Sequence, residues 1–254
     1  MKSILIVGGT RNLGKALCTH YTREPNTTVY ATARYGQPTH HPPNVHWISG
    51  VDISHDNAGY KVALGWSGEI PIDIVYIVAT GSHSHFVPET LENPNLEAEL
   101  NMYKTFAIGP LLLVQNLIRQ NILAKGAKVI FIGNEAGSIA LRNKGGDYGY
   151  HGSQAALNMT ARLLSFDLKP KGIAVGVIYP GHMKLLGEHK HTIHGDEVAP
   201  AVASKAVVEF VENEFNLEKS GQLWAARGFA SLPNLEGSLV EGNAADEKPI
   251  ELPW

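Results

Sequence analysis

The stretch Ser3-Ile4-Leu5-Ile6-Val7-Gly8-Gly9-Thr10-Arg11-Asn12-Leu13-Gly14-Lys15 decides how the rest of the chain is read. Its first five residues form a continuous run dominated by aliphatic side chains, which predicts a strand buried on both faces. Glycine follows directly, and Leu13, Ala16 and Leu17 recur at helical spacing, so a tight turn leads into a helix. Strand, glycine turn and helix N-terminus together aim free backbone N–H groups and a helix dipole at a phosphate. Gly8 can take backbone angles closed to other residues, and Gly14 would let the helix approach the sheet closely. The pattern reads as a dinucleotide site, the alternative being a purely structural glycine turn.

Outward from that turn, apolar runs alternate with helical spacings. Strands are predicted at Thr28–Ala33, Val45–Ser49, Ile72–Ala79, Ala127–Ile132, Ile173–Tyr179 and Gln222–Ala225. A long helical pattern covers Leu96–Leu123, with Gly109-Pro110 inside it as a kink or packing notch. A second runs from about Tyr148 to Leu168, and Ala203, Ala206, Val207, Phe210 and Val211 mark one face of a third. This alternation predicts an α/β fold, a doubly wound parallel sheet with helices on both faces. No repeat, linker or charge block divides the chain, so residues 1–254 read as one Rossmann-like domain for an NAD(P) cofactor. Ser231–Pro249 is a polar, irregular insertion before the C-terminal segment.

Composition narrows the function class. The 254 residues are 44% hydrophobic and 18% charged, which is ordinary for a globular domain with a sizeable core. A net charge of -3 and a pI near 6.5 offer no general attraction for nucleic acid. One cysteine, Cys18, excludes an intrachain disulfide framework and fits a reducing compartment; its place in the first helix suits a small packing residue. No apolar run is long enough to cross a bilayer, so the expectation is a cytoplasmic protein acting on a small molecule.

In a dinucleotide fold the end of the second strand lies beside the adenosine ribose. A carboxylate there would accept from a 2′-hydroxyl, whereas a cation would pair with a 2′-phosphate. The chain supplies Arg34, with Arg11 in the glycine turn as a second cation. Two guanidinium groups favour NADP(H) over NAD(H), because bidentate pairing suits a doubly charged phosphate. The alternative is two solvated surface arginines. Asp52, after the third strand, is placed to cap the next helix or touch the adenine.

The motifs Gly8…Gly14, Asp52, Tyr150-His151-Gly152-Ser153-Gln154-Ala155-Ala156-Leu157-Asn158 and Pro180-Gly181 resemble the short-chain dehydrogenase/reductase family over essentially the whole length. Gly109-Pro110-Leu111-Leu112-Leu113, Gly221-Gln222-Leu223-Trp224 and Glu251-Leu252-Pro253-Trp254 are similar to its sniffer/C-factor-like carbonyl reductase branch. The resemblance implies a nicotinamide cofactor held by Gly8, Thr10, Arg11, Asn12, Gly14, Arg34, Asp52, Ala79, Pro180 and Gly181. Asn12 stands where the family has a second glycine, and asparagine tolerates left-handed angles. Tyr150 matches the proton-transferring tyrosine, but Gln154 occupies the lysine position four residues on. Glutamine can hydrogen-bond a ribose hydroxyl, yet brings no charge to stabilise a phenolate. The carbonyl-orienting serine falls at Gly133 or Asn134; Asn134 matches better and could donate to a substrate oxygen. Phe106 takes the place of the family's helix asparagine.

That set of catalytic residues, Tyr150, Asn134 and Gln154, has a direction. Reduction needs a neutral phenol, which an unperturbed tyrosine with a pKa near 10 already is; oxidation needs the phenolate. An NADPH-dependent reductase of an activated carbonyl, enone or imine, of the kind found in secondary metabolism, is the leading expectation. A non-redox isomerase or cyclase keeping bound NADP(H), and a cofactor-binding pseudoenzyme, are the alternatives. His85, Glu135, Asp147 and His151 are candidate replacement acids or bases. Phe86, Phe106, Leu185, Leu186 and Trp224 are candidates for an apolar pocket. His83 and His85, with His189, His191 and His194, lack the partners of a common zinc motif, and no metal site is expected. The resemblance leaves monomer, dimer and tetramer open.

Overall fold

In a computed structural model that describes residues 1–68, 70–78, 89–184, 197–232 and 246–254, the decisive stretch lies at the centre of one sheet. Strand β1 (Lys2–Val7) runs into helix α1 (Asn12–Tyr21), followed by β2 (Thr27–Ala33), β3 (Val45–Ser49), α2 (Ala58–Gly65) and β4 (Ile72–Ile77). The chain continues through α3 (Leu96–Tyr103), a π-helical turn (Lys104–Ile108), α4 (Gly109–Arg119), β5 (Leu123–Ile132) and α5 (Tyr148–Leu168). It closes with β6 (Ala174–Tyr179), α6 (Pro200–Asn213), β7 (Leu223–Ala225) and β8 (Ile250–Leu252). The strand order is β3-β2-β1-β4-β5-β6-β7-β8, parallel from β3 to β7. This is a single doubly wound α/β domain. The order reverses between β1 and β4, and the crevice beyond the carboxyl ends of those strands is where such sheets bind ligands.

The apolar runs of the central strands follow from a sheet covered on both sides. In β1, Leu5 and Val7 join one layer with Leu113, Leu117, Leu157 and Ala161 of α4 and α5. Ile4 and Ile6 join the other with Leu13 and Leu17 of α1 and Val207 and Phe210 of α6. Successive side chains of a strand point to opposite faces, so both sets must be apolar.

Several boundaries differ from the sequence reading. The helical pattern over Leu96–Leu123 resolves into α3, the π turn and α4, and ends at Arg119. Gly109 is indeed a packing notch: a Cβ there would collide with the main-chain carbonyl of Ile53. Strand β5 starts at Leu123, four residues early, because Leu123 pairs with Ile72 before a register shift restores the ladder at Ile74↔Lys128. Strand β4 ends at Ile77; Ala79 lies outside the described residues. The sheet is not wholly parallel, since β8 joins the edge antiparallel to β7. Within the expected insertion, residues 246–249 pack over the short turn Gly228–Ser231, and residues 233–245 lie outside the described set. Among the described residues, no helix is long and apolar enough to cross a membrane.

Candidate active site

A cleft of about 610 Å³ opens where β1, β2, β5 and β6 end. At its β2 side the glycine turn behaves as its residues dictate. Gly8 has φ 94° and Asn12 φ 45°, both left-handed. A Cβ on Gly14 would collide with the Gly8 carbonyl, so only glycine lets α1 start this close to the strand. The turn is tied to β2 by the Gly8 N–H donating to Thr32 Oγ1 at 2.9 Å and the Gly9 N–H to the Thr32 carbonyl at 3.1 Å. Arg11, the N-cap of α1, offers no side-chain cap, and Thr10, Arg11 and Asn12 at that helix N-terminus line the cleft.

Arg34, Tyr35, Gly36 and Pro38 extend this side of the cleft. Arg34 is not wholly free, because its Nε lies 3.5 Å from Asp52 Oδ2. Asp52 does not cap α2, whose N-cap is Asn57. Its Oδ1 instead accepts from the N–H and hydroxyl of Ser54 at 3.0 and 2.7 Å. Partial burial opposes ionisation of Asp52, but those two bonds and the Arg34 guanidinium hold its carboxyl below the usual range. Val51 and Ile53, rather than Asp52, line the cleft. Cys18 sits beneath the turn with its thiol directed at the Gly9 carbonyl, and burial pushes that thiol up to about 12. It is a packing residue.

The other side of the cleft is built by α5, β5 and β6. Tyr150 and Gln154, one helical turn apart, both face it, with Ile132, Gly133, Asn134, Tyr179, Pro180 and Gly181 opposite. Phe106, carried on the π turn, meets the Tyr150 ring edge-on at a centroid distance of 5.8 Å and 83°. Burial and the Glu135 carboxylate push the Tyr150 phenol above its ordinary range, Arg142 opposes them and Asp147 adds to them. Gln154 is only 2% exposed, and its Oε1 has no hydrogen-bond partner. A buried amide oxygen left unsatisfied at a cleft wall fits a missing hydroxyl donor, as a ribose would supply. The Asn134 Oδ1 accepts from the Ala136 N–H at 2.8 Å, which leaves its amide hydrogens as donors.

The remaining candidates divide cleanly. Trp224 belongs to the core, packed on Phe210 at 5.2 Å. Asp147 bonds to Glu89, and His151 to Arg142 and the Gly146 carbonyl, so neither lines the cleft. His83, His85, Phe86, Leu185, Leu186, His189, His191 and His194 lie outside the described residues. Among the described residues there is no cluster of three potential metal ligands. His182, Met183 and Glu197 line the cleft without having been singled out in the sequence. A parallel bridge between Met183 and Val198 brings the last of these in. His182 was readable from its place after Pro180-Gly181; Glu197 carries no such signal.

The short chain dehydrogenase family profile matches residues 2–194. The chain belongs to that family. An uncharacterised oxidoreductase of Saccharomyces cerevisiae is 31% identical over 194 residues, covering 69% of this chain and 72% of the relative. The C-signal protein of Myxococcus xanthus is 33% identical over 136 residues, 50% of this chain and 76% of that protein. Among solved structures, an NADPH-bound carbonyl reductase from chicken fatty liver superposes with TM-score 0.74 at 22% identity, covering 90% of this chain and 93% of that one. The carbonyl reductase Sniffer of D. melanogaster gives TM-score 0.73 at 20% identity, with coverages of 89% and 97%. Family membership makes the chain an oxidoreductase of the short-chain dehydrogenase type, while the structural neighbours speak to fold.

Proposed function

We propose that the protein is an NADPH-dependent reductase of a small activated carbonyl, enone or imine, with Tyr150 as proton donor and Asn134 as ligand to the substrate oxygen. The observation that carries this reading is the half-buried Tyr150 phenol, kept protonated by desolvation and nearby carboxylates in a cleft where Gln154 replaces the family's lysine. Gly8, Thr10, Asn12 and Gly14 would cradle the pyrophosphate, Arg11 and Arg34 the 2′-phosphate, and Gln154 a ribose hydroxyl, with Pro180 and Gly181 beside the ring. Asp52 would act only through Arg34, and Ala79 is assigned by family resemblance alone. When bound, the cofactor supplies the hydride. The protein's part is to hold the acceptor oxygen between the Asn134 amide and the Tyr150 hydroxyl and to deliver one proton to it.

Phe106 supports a second reading. It covers one edge of Tyr150 at the position where the resembling family carries a polar relay residue. A site with impeded proton resupply also suits an isomerase or cyclase that returns the proton it removes.

The test is fluorescence titration of cofactor-free protein with NADPH and NADH, followed by turnover of diacetyl and an enone panel. NADPH binding at least about tenfold tighter than NADH, with stoichiometric NADPH consumption, is expected from a guanidinium pair facing a phosphate. Product formation without NADPH consumption would select the isomerase reading, and binding of neither cofactor would overturn both.

A further inference from the structure

Helix α5 carries Tyr150 two residues beyond its first residue, Tyr148, yet the helix has no cap of its own. Its N-cap residue, Asp147, is left-handed at φ 49° and makes no side-chain cap bond. The job falls to Glu89, nearly sixty residues away in sequence. Glu89 Oε2 accepts the Gly149 N–H at 2.8 Å, one of the free donors of the first turn. The main chains are clasped as well: the Asp147 N–H donates to the Glu89 carbonyl at 2.8 Å, and the Glu89 N–H donates to Asp147 Oδ1 at 3.1 Å. Asp147 thus turns its carboxylate away from its own helix to hold the residue that caps it. Glu89 is 8% exposed and its bond to the Gly149 N–H is buried, while the clasp to the exposed Asp147 is partly open to water.

We propose that Glu89 is a positioning residue for Tyr150, its carboxylate capping α5 from a distant segment and fixing the phenol against the cleft. The proposal rests on the reading of Tyr150 as proton donor. A carboxylate at a helix N-terminus is favoured by the aligned peptide dipoles, and it satisfies a donor the helix cannot satisfy itself. The bonded N–H belongs to the residue immediately before Tyr150, so any fraying there moves the phenol directly. Small displacements of a proton donor are costly to rate.

The titratable groups facing Glu89 are Asp147, at the entry to α5, and Glu99, from α3. Glu99 packs against the bare face of Gly149. Its hydrogen bond to Glu89 holds the Glu99 carboxyl above the usual glutamate range. A carboxyl raised in the folded state stabilises below its unfolded pKa, and that contribution is lost as pH rises through the folded value. The Glu89–Glu99 contact therefore weakens on the alkaline side of the ordinary glutamate range.

The experiment is amide exchange at residues 149–151 of the full-length protein, alongside kcat for diacetyl and NADPH affinity. Glu89→Leu should lower protection there about tenfold, the size of a lost cap, and reduce kcat by a similar factor while NADPH affinity changes less than about threefold. Glu89→Gln keeps an acceptor for the Gly149 N–H and should recover most of both. Glu99→Gln keeps a donor at every pH and should flatten the pH dependence of protection. Unchanged protection in Glu89→Leu overturns the proposal, as does a parallel loss of NADPH binding and kcat. If Glu89→Leu does not fold, a pH dependence of protection in Glu99→Gln that is as steep as in the wild type overturns it. Wild-type protein inert toward diacetyl would defeat the reductase reading, while the exchange data would still decide the cap.

Discussion

As the proposed proton donor, Tyr150 has no lysine one turn away and so has one proton state to offer. Burial and the Glu135 and Asp147 carboxylates hold the Tyr150 phenol neutral, and Arg142 offsets them only in part. Reduction, which spends a proton from the neutral phenol, should keep a level kcat from pH 7 to beyond about pH 10, the ordinary tyrosine range. The reverse oxidation needs the phenolate and should rise about tenfold per pH unit without a plateau over the same interval. A plateau in oxidation near pH 8 would contradict the raised phenol. Tyr150→Phe should lower reduction by about 10²–10⁴-fold, the usual worth of a positioned acid. At this scale the sequence was legible wherever a residue's conformation or placement follows from its own backbone or its position in a motif. Asn12 takes the left-handed angle expected of it, and Tyr150 and Gln154 share a face because they are four apart. Glu89 and Glu197 were not legible, since a contact across a long sequence gap leaves no periodicity. Asp52 was read as capping the next helix or touching the adenine; it serves Ser54 and Arg34 rather than a helix, because α2 begins only at Ala58 with Asn57 as its N-cap.

Elements were legible in kind, less so in extent. The apolar spacing over Leu96–Leu123 is continuous, but a π turn at Lys104–Ile108 adds a residue to the register and rotates Phe106 toward Tyr150. Such bulges cluster at functional sites, and nothing in residue spacing alone separates them from a straight helix. Gly109 carries the visible trace of the crossing. Its Cα side faces the Ile53 carbonyl, with the Lys104 carbonyl 2.8 Å from where a Cβ would sit. Because both obstacles are main chain, no side chain can swing aside. Gly109→Ala should therefore destabilise the fold by about 1–3 kcal/mol, as overpacking does, despite alanine's better helix propensity. Urea denaturation would show a lower midpoint with an unchanged slope. A gain in stability would mean that α4 can slide away from the loop after β3.

At the scale of the molecule, the sheet between β3 and β7 was legible because its central strands β1, β4 and β6 are buried along nearly their whole length and therefore almost continuously apolar. Strand β8 was not, since a three-residue strand has too short a pattern to register, although its terminal Glu251-Leu252-Pro253-Trp254 was noticed as a motif. Yet β8 closes an open edge. It pairs Leu252 with Leu223 and Ile250 with Ala225, and Leu252 is 1% exposed. Just beyond it, the Trp254 main-chain oxygen accepts from the Ala140 N–H at 3.0 Å, fastening the segment that follows Asn134. Removing residues 250–254 would expose the ladder of β7 and the apolar surface under Leu252 together. Burial of one leucine is worth about 1.5–3 kcal/mol, and in a domain of this size each kcal/mol moves the melting temperature by roughly 2–4 °C. The truncated chain should melt about 5–10 °C lower, and its uncovered edge should promote association visible by light scattering. The glycine turn lies five strands from that edge in the sheet order, so the phosphate end of the cofactor site should be undisturbed and NADPH affinity should hold within about twofold. Loss of cofactor binding in a truncated protein that stays folded would show that the edge strand reaches the cleft by a route other than stability.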